Sequence, residues 1–330
     1  MSEYISTYTT GFSEIIKSQI NKDLPGVRVI ELYDGLIHFS YNKEIQHFES
    51  LVYLNNIFFV IKCFKDKFIS FKEMINCICK TKQKFPITNG SFRVRFSKGN
   101  EFVKVDNNLV KKIENHILDE SNLKVDRVNP STEIWFFIRN DGVAFCGQLL
   151  FKRKITEKYL FKGELRPEFA YLMCLCANIT KDTVVYDPFC GSGAIPKQLI
   201  SKFMVKMVLA SDIDKKKISV LKDSINMSSD RFKCFEANAL SMDMITDNSV
   251  DIIITDPPWG YYEQIDDIKL FYENMLREFL RITKKDATII VLSARKQEFK
   301  DACLNMGAMI TSQIDTLVNG KKAAVFTLHF

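Results

Sequence analysis

The sequence predicts an α/β protein: a doubly wound, mainly parallel sheet in the second half, preceded by two smaller α+β units. Three observations predict it. From Thr183 onward the apolar runs alternate between strand and helix periodicity. Two of the strand-like runs, ending at Asp187 and Asp256, pass straight into a glycine- or proline-rich turn, which is how a buried parallel strand meets a ligand loop. The last seventeen residues, IDTLVNGKKAAVFTLHF, make two strands about Asn319-Gly320, a strong hairpin signal.

A chain of 330 residues suggests two or three domains. The apolar fraction of 46% is ordinary for a globular protein, and no apolar run reaches membrane-spanning length. The start MSEYISTYTTGF lacks the basic and apolar regions of a signal peptide, so a cytoplasmic protein without membrane attachment is expected. Nine cysteines occur, none in CxxC spacing, and they read as reduced apolar residues; no metal site is expected. Of the four histidines none is near either aspartate-terminated loop, which argues against a histidine base there. The net charge is +6 and uneven: residues 1–163 hold 25 Lys and Arg against 18 Asp and Glu, a surplus of seven, leaving the remainder at −1. A basic excess confined to one half is what a nucleic-acid contact requires.

Taken in order, FSEIIKSQI is an amphipathic helix and VRVIELYDGLIHFSY two strands about Asp34-Gly35. SLVYLNNIFFVIKCF is apolar enough to be buried, completing a unit over residues 1–69. A second unit spans residues 70–153. In it SFRVRFSK sets Phe92, Val94 and Phe96 against Arg93, Arg95 and Lys98, predicting aromatic residues on one strand face and cations on the other. NNLVKKIENHIL is helical, and STEIWFFIRNDGVAFCGQLLF folds about Asn140-Asp141-Gly142. Residues 154–164 are charged and read as a linker, and a domain over 165–330 follows.

That domain opens with LRPEFAYLMCLCANI, a helix with Pro167 in its first turn. Then come strand TVVYD, a helix from Ala194, strand MVLASD, helix DKKKISVLKDSI, strand RFKCFEA, strand VDIIIT, helix IKLFYENMLREFLRI, strand ATIIVLS and a helix from Lys296. The alternation requires a parallel sheet, and its ligands belong at the carboxyl ends of the strands. Asp187 and Asp256 should therefore face one crevice.

The first loop, DPFCGSG, has Gly191 and Gly193 where a backbone can approach a ligand at a helix start. Such a GxG also occurs in dehydrogenases and kinase-like loops. Asp187 discriminates: a carboxylate repels a pyrophosphate but attracts a cation, and S-adenosylmethionine carries a sulfonium and an ammonium. Pro196 stands where a dinucleotide fingerprint would have its third glycine. The cofactor-binding candidates are Asp187, Phe189, Cys190, Gly191, Ser192 and Gly193, then Asp212 and Ile213 at the second strand end for ribose hydroxyls, and Asn238 and Ala239 for the adenine edge. Asp214 reads as a helix cap, and Cys190 as a packing residue rather than a nucleophile.

Asp256-Pro257-Pro258-Trp259 resembles the [N/D]PP[Y/W/F] motif of amino methyltransferases. A conjugated exocyclic amine is a poor nucleophile because its lone pair is delocalised. Two acceptors aimed at its hydrogens, the Asp256 side chain and the Pro257 carbonyl, would localise that pair; Pro258 would fix the turn and Trp259 offer a stacking face. These four are the candidates for catalysis.

FRVRFSK with KVDRVNPSTEIWFFIRNDGVAFCGQLLF is similar to the THUMP domain, an RNA-binding unit, and YTTGFSEIIKSQI to the start of the ferredoxin-like segment that precedes it in THUMP methyltransferases. The whole chain thus resembles the THUMP-containing class I RNA methyltransferases that modify guanosine N2, usually in tRNA. The resemblance implies S-adenosylmethionine as methyl donor, an RNA, usually tRNA, gripped at its 3′ end by the THUMP half, a guanosine target in the acceptor region and a monomer, with a small activating subunit left open. Arg93, Arg95 and Lys98 are the RNA-binding candidates. Two other readings stay open: an amino methyltransferase for another acceptor (rRNA guanine N2, adenine N6 or a protein glutamine), and a non-catalytic RNA-binding subunit.

Overall fold

The structure is a computed structural model; it describes residues 2–43, 45, 47–66, 69–99, 101–153, 164–225, 230–261 and 265–330. The linker expected over 154–164 lies, but for Glu164, outside the described residues. Two compact units are present: Met1–Tyr8 with Lys17–Lys154, and Thr9–Ile16 with Ile155–Phe330.

The first unit is built on β1 (Ser2–Thr7), β2 (Arg28–Tyr33), β3 (Leu36–Tyr41) and β4 (Asn56–Phe64), with the part of helix α1 (Ser13–Asp23) from Lys17 onward. It continues with α2 (Phe71–Ile78), β5 (Asn89–Lys98), β6 (Glu101–Phe102), α3 (Asn107–Glu120), β7 (Asn122–Val125), β8 (Thr132–Ile138) and β9 (Ala144–Lys152). All nine strands join one sheet in the order β2-β3-β1-β4-β9-β8-β5-β6, with β7 also on β5. The antiparallel pairing of β4 with β9 makes the sheet continuous through both of the expected α+β units.

Helix α2 was not expected. Its signal is nonetheless local: Ser70 Oγ accepts from Glu73 N–H (3.3 Å) while Ser70 N–H donates to Glu73 Oε2 (2.8 Å), a reciprocal cap over the S-x-x-E spacing. Met74, Ile75 and Ile78 of α2 and Ile113 and Ile117 of α3 pack on Phe92, Phe96 and Phe136, which form the helix-covered face of β5 and β8.

The second unit contains α4 (Pro167–Leu175), β10 (Val184–Asp187), α5 (Ala194–Lys202), β11 (Met207–Asp212), α6 (Lys215–Ser224), β12 (Phe232–Glu236) and β13 (Val250–Thr255). It ends with α7 (Ile268–Ile282), β14 (Thr283–Ser293), α8 (Lys296–Asn305), β15 (Met309–Val318) and β16 (Lys321–His329). The sheet order is β12-β11-β10-β13-β14-β16-β15, parallel through β14 and antiparallel at β16 and β15. The expected α/β alternation and its closing hairpin are both present. Asn319 and Gly320 adopt positive φ (49° and 77°), the two-residue turn that matches the strand twist. Tyr186, Ile253, Ile289, Val291 and Phe326 of the sheet are fully buried against Tyr272, Met275, Leu276 and Phe279 of α7 and Phe299 of α8. No helix among the described residues is long and apolar enough to cross a membrane.

Candidate active site

Strands β11, β10 and β13 are consecutive neighbours in parallel register, Tyr186 beside Leu209 and Ile253. Their carboxyl ends therefore come out on one edge of the sheet, carrying Asp212, Asp187 and Asp256 respectively. Asp187 is 1% exposed. Its Oδ1 accepts from Thr255 Oγ1 (2.8 Å) and from Phe189 N–H (3.3 Å). Burial pushes its carboxyl up to about 7; the two donors oppose the shift and the charge of Asp212 adds to it.

Asp212 is buried and shapes the loop after β10: its Oδ2 accepts from Gly191 N–H (3.0 Å) and its Oδ1 from Asp214 N–H (2.9 Å). The amide of Cys190 donates to Ser211 O (2.9 Å) and that of Gly193 to Cys190 O (2.8 Å). With that of Phe189, four amides of DPFCGSG thus hold the loop itself. They are not presented to a phosphate, as a dinucleotide loop would present them. Gly193, the N-cap of α5, sits at φ 94°, and a Cβ there would come within 2.2 Å of Leu221 Cδ1 on α6. Cys190 is buried and burial pushes its thiol up, away from nucleophile chemistry. Ser192 is buried, and Phe189 packs its ring 6.0 Å from that of Phe271 on α7.

Ile213, next to Asp212, is 70% exposed, an apolar side chain at the strand edge with no share in the core. Asp214 caps α6 by accepting from Lys216 N–H (2.8 Å). Asn238 uses its Oδ1 on the Leu240 amide (3.0 Å), forming a local turn beside buried Ala239.

Asp256 has an Oδ1 that is buried and without a hydrogen-bond partner among the described residues. Burial, reinforced by the neighbouring Asp187 charge, pushes its carboxyl well above the usual range. The loop that follows is pinned from the end of β14, from α7 and from the start of α8. Trp259 Nε1 donates to Leu292 O (3.3 Å), Arg295 Nε donates to Trp259 O (3.0 Å), and the Tyr272 hydroxyl lies 3.4 Å from Pro258 O and 3.0 Å from Ser293 Oγ. The Arg295 guanidinium also stands 4.6 Å from the Tyr261 ring centre. Sequence reasoning missed Thr255, Tyr272, Ser293 and Arg295; none carries a local motif, and they become neighbours only through the sheet.

The donor set fits S-adenosylmethionine. Two acidic groups held up by burial at one strand edge would be relieved by a cation, Asp256 offers an unpaired acceptor, and Ile213 an apolar contact. Among the described residues there is no group of three or more His, Cys, Asp or Glu able to hold a metal.

The RNA-binding candidates lie in the first unit. Parallel register sets Arg93 beside Glu133 and Arg95 beside Trp135, on the face opposite α2 and α3. Lys98 is exposed but has the parity of Phe92 and Phe96, pairing with Glu101. The expected common face for all three cations is thus corrected: a strand alternates every residue, and 98 differs from 93 and 95 by odd steps.

Residues 154–322, just over half of the chain, match the family model of UPF0020, the RMKL-like methyltransferase domain. The chain is 27% identical over 173 residues to the U6 snRNA (guanine-N(2))-methyltransferase THUMPD2 of Bos taurus, covering 51% of this chain and 33% of that protein. It is 27% identical over 173 residues to the tRNA (guanine(10)-N2)-dimethyltransferase of Methanothermobacter thermautotrophicus, covering 50% of each. The chain therefore spans a third to a half of the length of these two relatives. Among solved structures, TrmN from Thermus thermophilus superposes with a TM-score of 0.82 at 19% identity, covering 100% of this chain and 99% of that one. The fold of the whole chain is thus that of a class I methyltransferase domain preceded by an α+β half.

Proposed function

The chain belongs to the RMKL-like methyltransferase family, UPF0020, and from that premise we propose that it transfers a methyl group from S-adenosylmethionine to the exocyclic N2 of a guanosine in structured RNA, most simply a tRNA, in the cytoplasm. The observation that carries this is the adjacency of Asp187 and the Asp256–Trp259 loop on neighbouring strand ends, joined through Thr255. The relatives' names, guanine-N2 methyltransferases of tRNA and U6 snRNA, support the choice of acceptor. In this reading residues 1–69 are a ferredoxin-like segment, 70–153 a THUMP unit, 154–164 a linker and 165–330 the methyltransferase domain.

S-adenosylmethionine supplies a methyl carbon made electrophilic by its sulfonium. The protein's share is to hold charge, orient the amine and take a proton. Asp187, ionised beside the positive donor, fixes it at the end of β10, with Asp212 and Ile213 toward its ribose and adenine. Asp256 Oδ1 and the Pro257 carbonyl accept the two amine hydrogens, so that the nitrogen becomes pyramidal and its lone pair is free to attack. Pro258 fixes the turn at that carbonyl, Arg295 holds the loop two residues on at Trp259 O, and Trp259 stacks the base. As the N–C bond forms, the bond from the methyl carbon to the sulfonium breaks, S-adenosylhomocysteine leaves with the electron pair on sulfur, and nitrogen must lose a proton. A carboxylate made more basic by burial and by Asp187 is suited to receive it.

The test is methylation of tRNA and rRNA transcripts by the purified chain with labelled S-adenosylmethionine, followed by nucleoside mass spectrometry. N2-methylguanosine is the expected product. Label in N6-methyladenosine or in protein, or none in RNA, would refute the assignment.

A further inference from the structure

The carboxyl edge of the second unit's sheet carries a projecting arm beside the catalytic loop. Strand β16 runs antiparallel to β14, and Ser293, the last residue of β14, pairs with Ala324. Lys321, Lys322 and Ala323, with their partners Val318, Leu317 and Thr316, therefore extend past that edge by roughly 10 Å. At the tip of this arm Lys321 Nζ lies 3.8 Å from the centre of the Tyr261 ring. The Arg295 guanidinium stands 4.6 Å from the same ring, which meets that of Trp259 at 83° across 6.4 Å. Tyr261 is 45% exposed, so two cations and an indole gather around a ring that fills no core.

We propose that Lys321, at the tip of the β15–β16 arm, binds a phosphate flanking the target nucleotide, with Tyr261 as the residue that positions its ammonium. The site rests on the reading of RNA as acceptor and adds what holds the target's backbone at the catalytic loop.

Three features argue for it. First, the order along the loop is the order along a nucleotide. Asp256 and Pro257 face the amine in that reading and Trp259 the base, and Tyr261, two positions on, stands where sugar and phosphate leave the base. Second, charge is divided along the edge. Asp212, Asp187 and Asp256 end β11, β10 and β13, whereas Arg295, Lys296, Lys321 and Lys322 face only Glu298 and Asp315 at β14, α8 and the arm, a surplus of two. Lys296 pairs with Asp315 (3.0 Å), and Arg295 lies 3.7 Å from Glu298 while holding Trp259 O. A cationic donor and a polyanionic acceptor are thus drawn to opposite ends of one edge. Third, a lysine stem is flexible, and resting the ammonium on an aromatic face lowers the cost of ordering it around a phosphate. A protein glutamine at Asp256 would bring no anion of its own for Lys321.

The test is steady-state methylation of tRNA by the full-length protein over a range of salt concentrations. Lys321→Gln should raise KM for tRNA about five-fold or more and lessen the slope of log(kcat/KM) against log salt by about 0.7–0.9, one phosphate's share. Calorimetric affinity for S-adenosylmethionine should stay within about two-fold, and Lys321→Arg should keep most of the wild-type KM. Tyr261→Leu should raise KM as Lys321→Gln does, and Tyr261→Phe, which keeps the ring, should not. The direct comparison uses tRNA assembled by ligation with a neutral methylphosphonate on one or the other side of the modified guanosine. At one of these positions wild type should lose about five-fold or more in kcat/KM and Lys321→Gln nothing further. An unmoved KM and salt slope in Lys321→Gln, equal losses for both proteins at both positions, or cofactor affinity lost together with KM would overturn the site. If wild-type protein forms N2-methylguanosine and these comparisons fail, the phosphate site alone is wrong. If it methylates no RNA, the functional reading is wrong and the site falls with it.

Discussion

Thr255 Oγ1 donates a 2.8 Å hydrogen bond to Asp187 Oδ1, tying the last residue of β13 to the last residue of β10. The residue that holds the Asp187 carboxylate is thus the immediate neighbour of Asp256, and one contact ties the two acidic strand ends. Thr255→Val keeps the shape and removes the donor. A hydrogen bond to a charged group is worth about 1.5–3 kcal/mol. Affinity for S-adenosylmethionine at pH 7.5 should therefore fall by roughly ten-fold or more, measured by calorimetry, while far-UV circular dichroism stays unchanged.

The pH dependence of cofactor binding follows from Asp187. Its carboxyl titrates at about 7 in the free protein, and a cation binds the ionised form. Affinity should fall as pH drops below about 7, approaching ten-fold per unit, and level off above about 8. The stability effect has the opposite sense. A carboxyl raised in the folded state binds more protons there than in the unfolded chain, so between pH 4 and 7 stability declines as pH rises. Asp187→Asn should bind more weakly and lose the inflection near 7. An inflection that persists unshifted would assign it to another group.

Arg295 is expected to act through the loop it holds. Its Nε donates to Trp259 O (3.0 Å) and its guanidinium packs on Tyr261. Arg295→Gln should lower kcat by ten-fold or more, with cofactor affinity unchanged, and Arg295→Lys should recover part of the loss. Steady-state kinetics that show only a raised KM for RNA would place Arg295 in RNA contact instead.

Gly193 is a point of backbone necessity. At φ 94°, and with Leu221 in the way of any Cβ, Gly193→Ala should destabilise the second unit by about 1–3 kcal/mol and weaken cofactor binding. Urea denaturation followed by a probe in that unit would detect it.

The parallel sheet, its order of helices and strands, and the three acidic strand ends were legible in the sequence, because aliphatic runs stop abruptly at Asp187, Asp212 and Asp256, and at the first and last of these the chain turns at once into Gly or Pro. What was not legible depends on spatial neighbours. Thr255 looks like the last residue of a strand until β10 lies beside it. Arg295 is thirty-six positions from the carbonyl it holds. The amides of DPFCGSG read as ligand donors, yet Asp212 and Ser211 on the next strand use two of them. The parity of Lys98, which sets it on the face of Phe92 and Phe96, and the capping spacing of Ser70 and Glu73 ahead of α2 are, by contrast, local features of the sequence. The sharing of Glu133 by Arg93 and Arg95 was not readable, since it requires β5 and β8 to be in register.

The division of labour between the two strand ends is tested most directly by Asp256→Ala, with methyl transfer to RNA and calorimetric binding of S-adenosylmethionine measured on the same preparation. Turnover should fall by at least about a hundred-fold, as expected when a group acting on the transition state is removed, while cofactor affinity stays within a few-fold of wild type. Cofactor binding lost in parallel with turnover, or turnover retained, would contradict it.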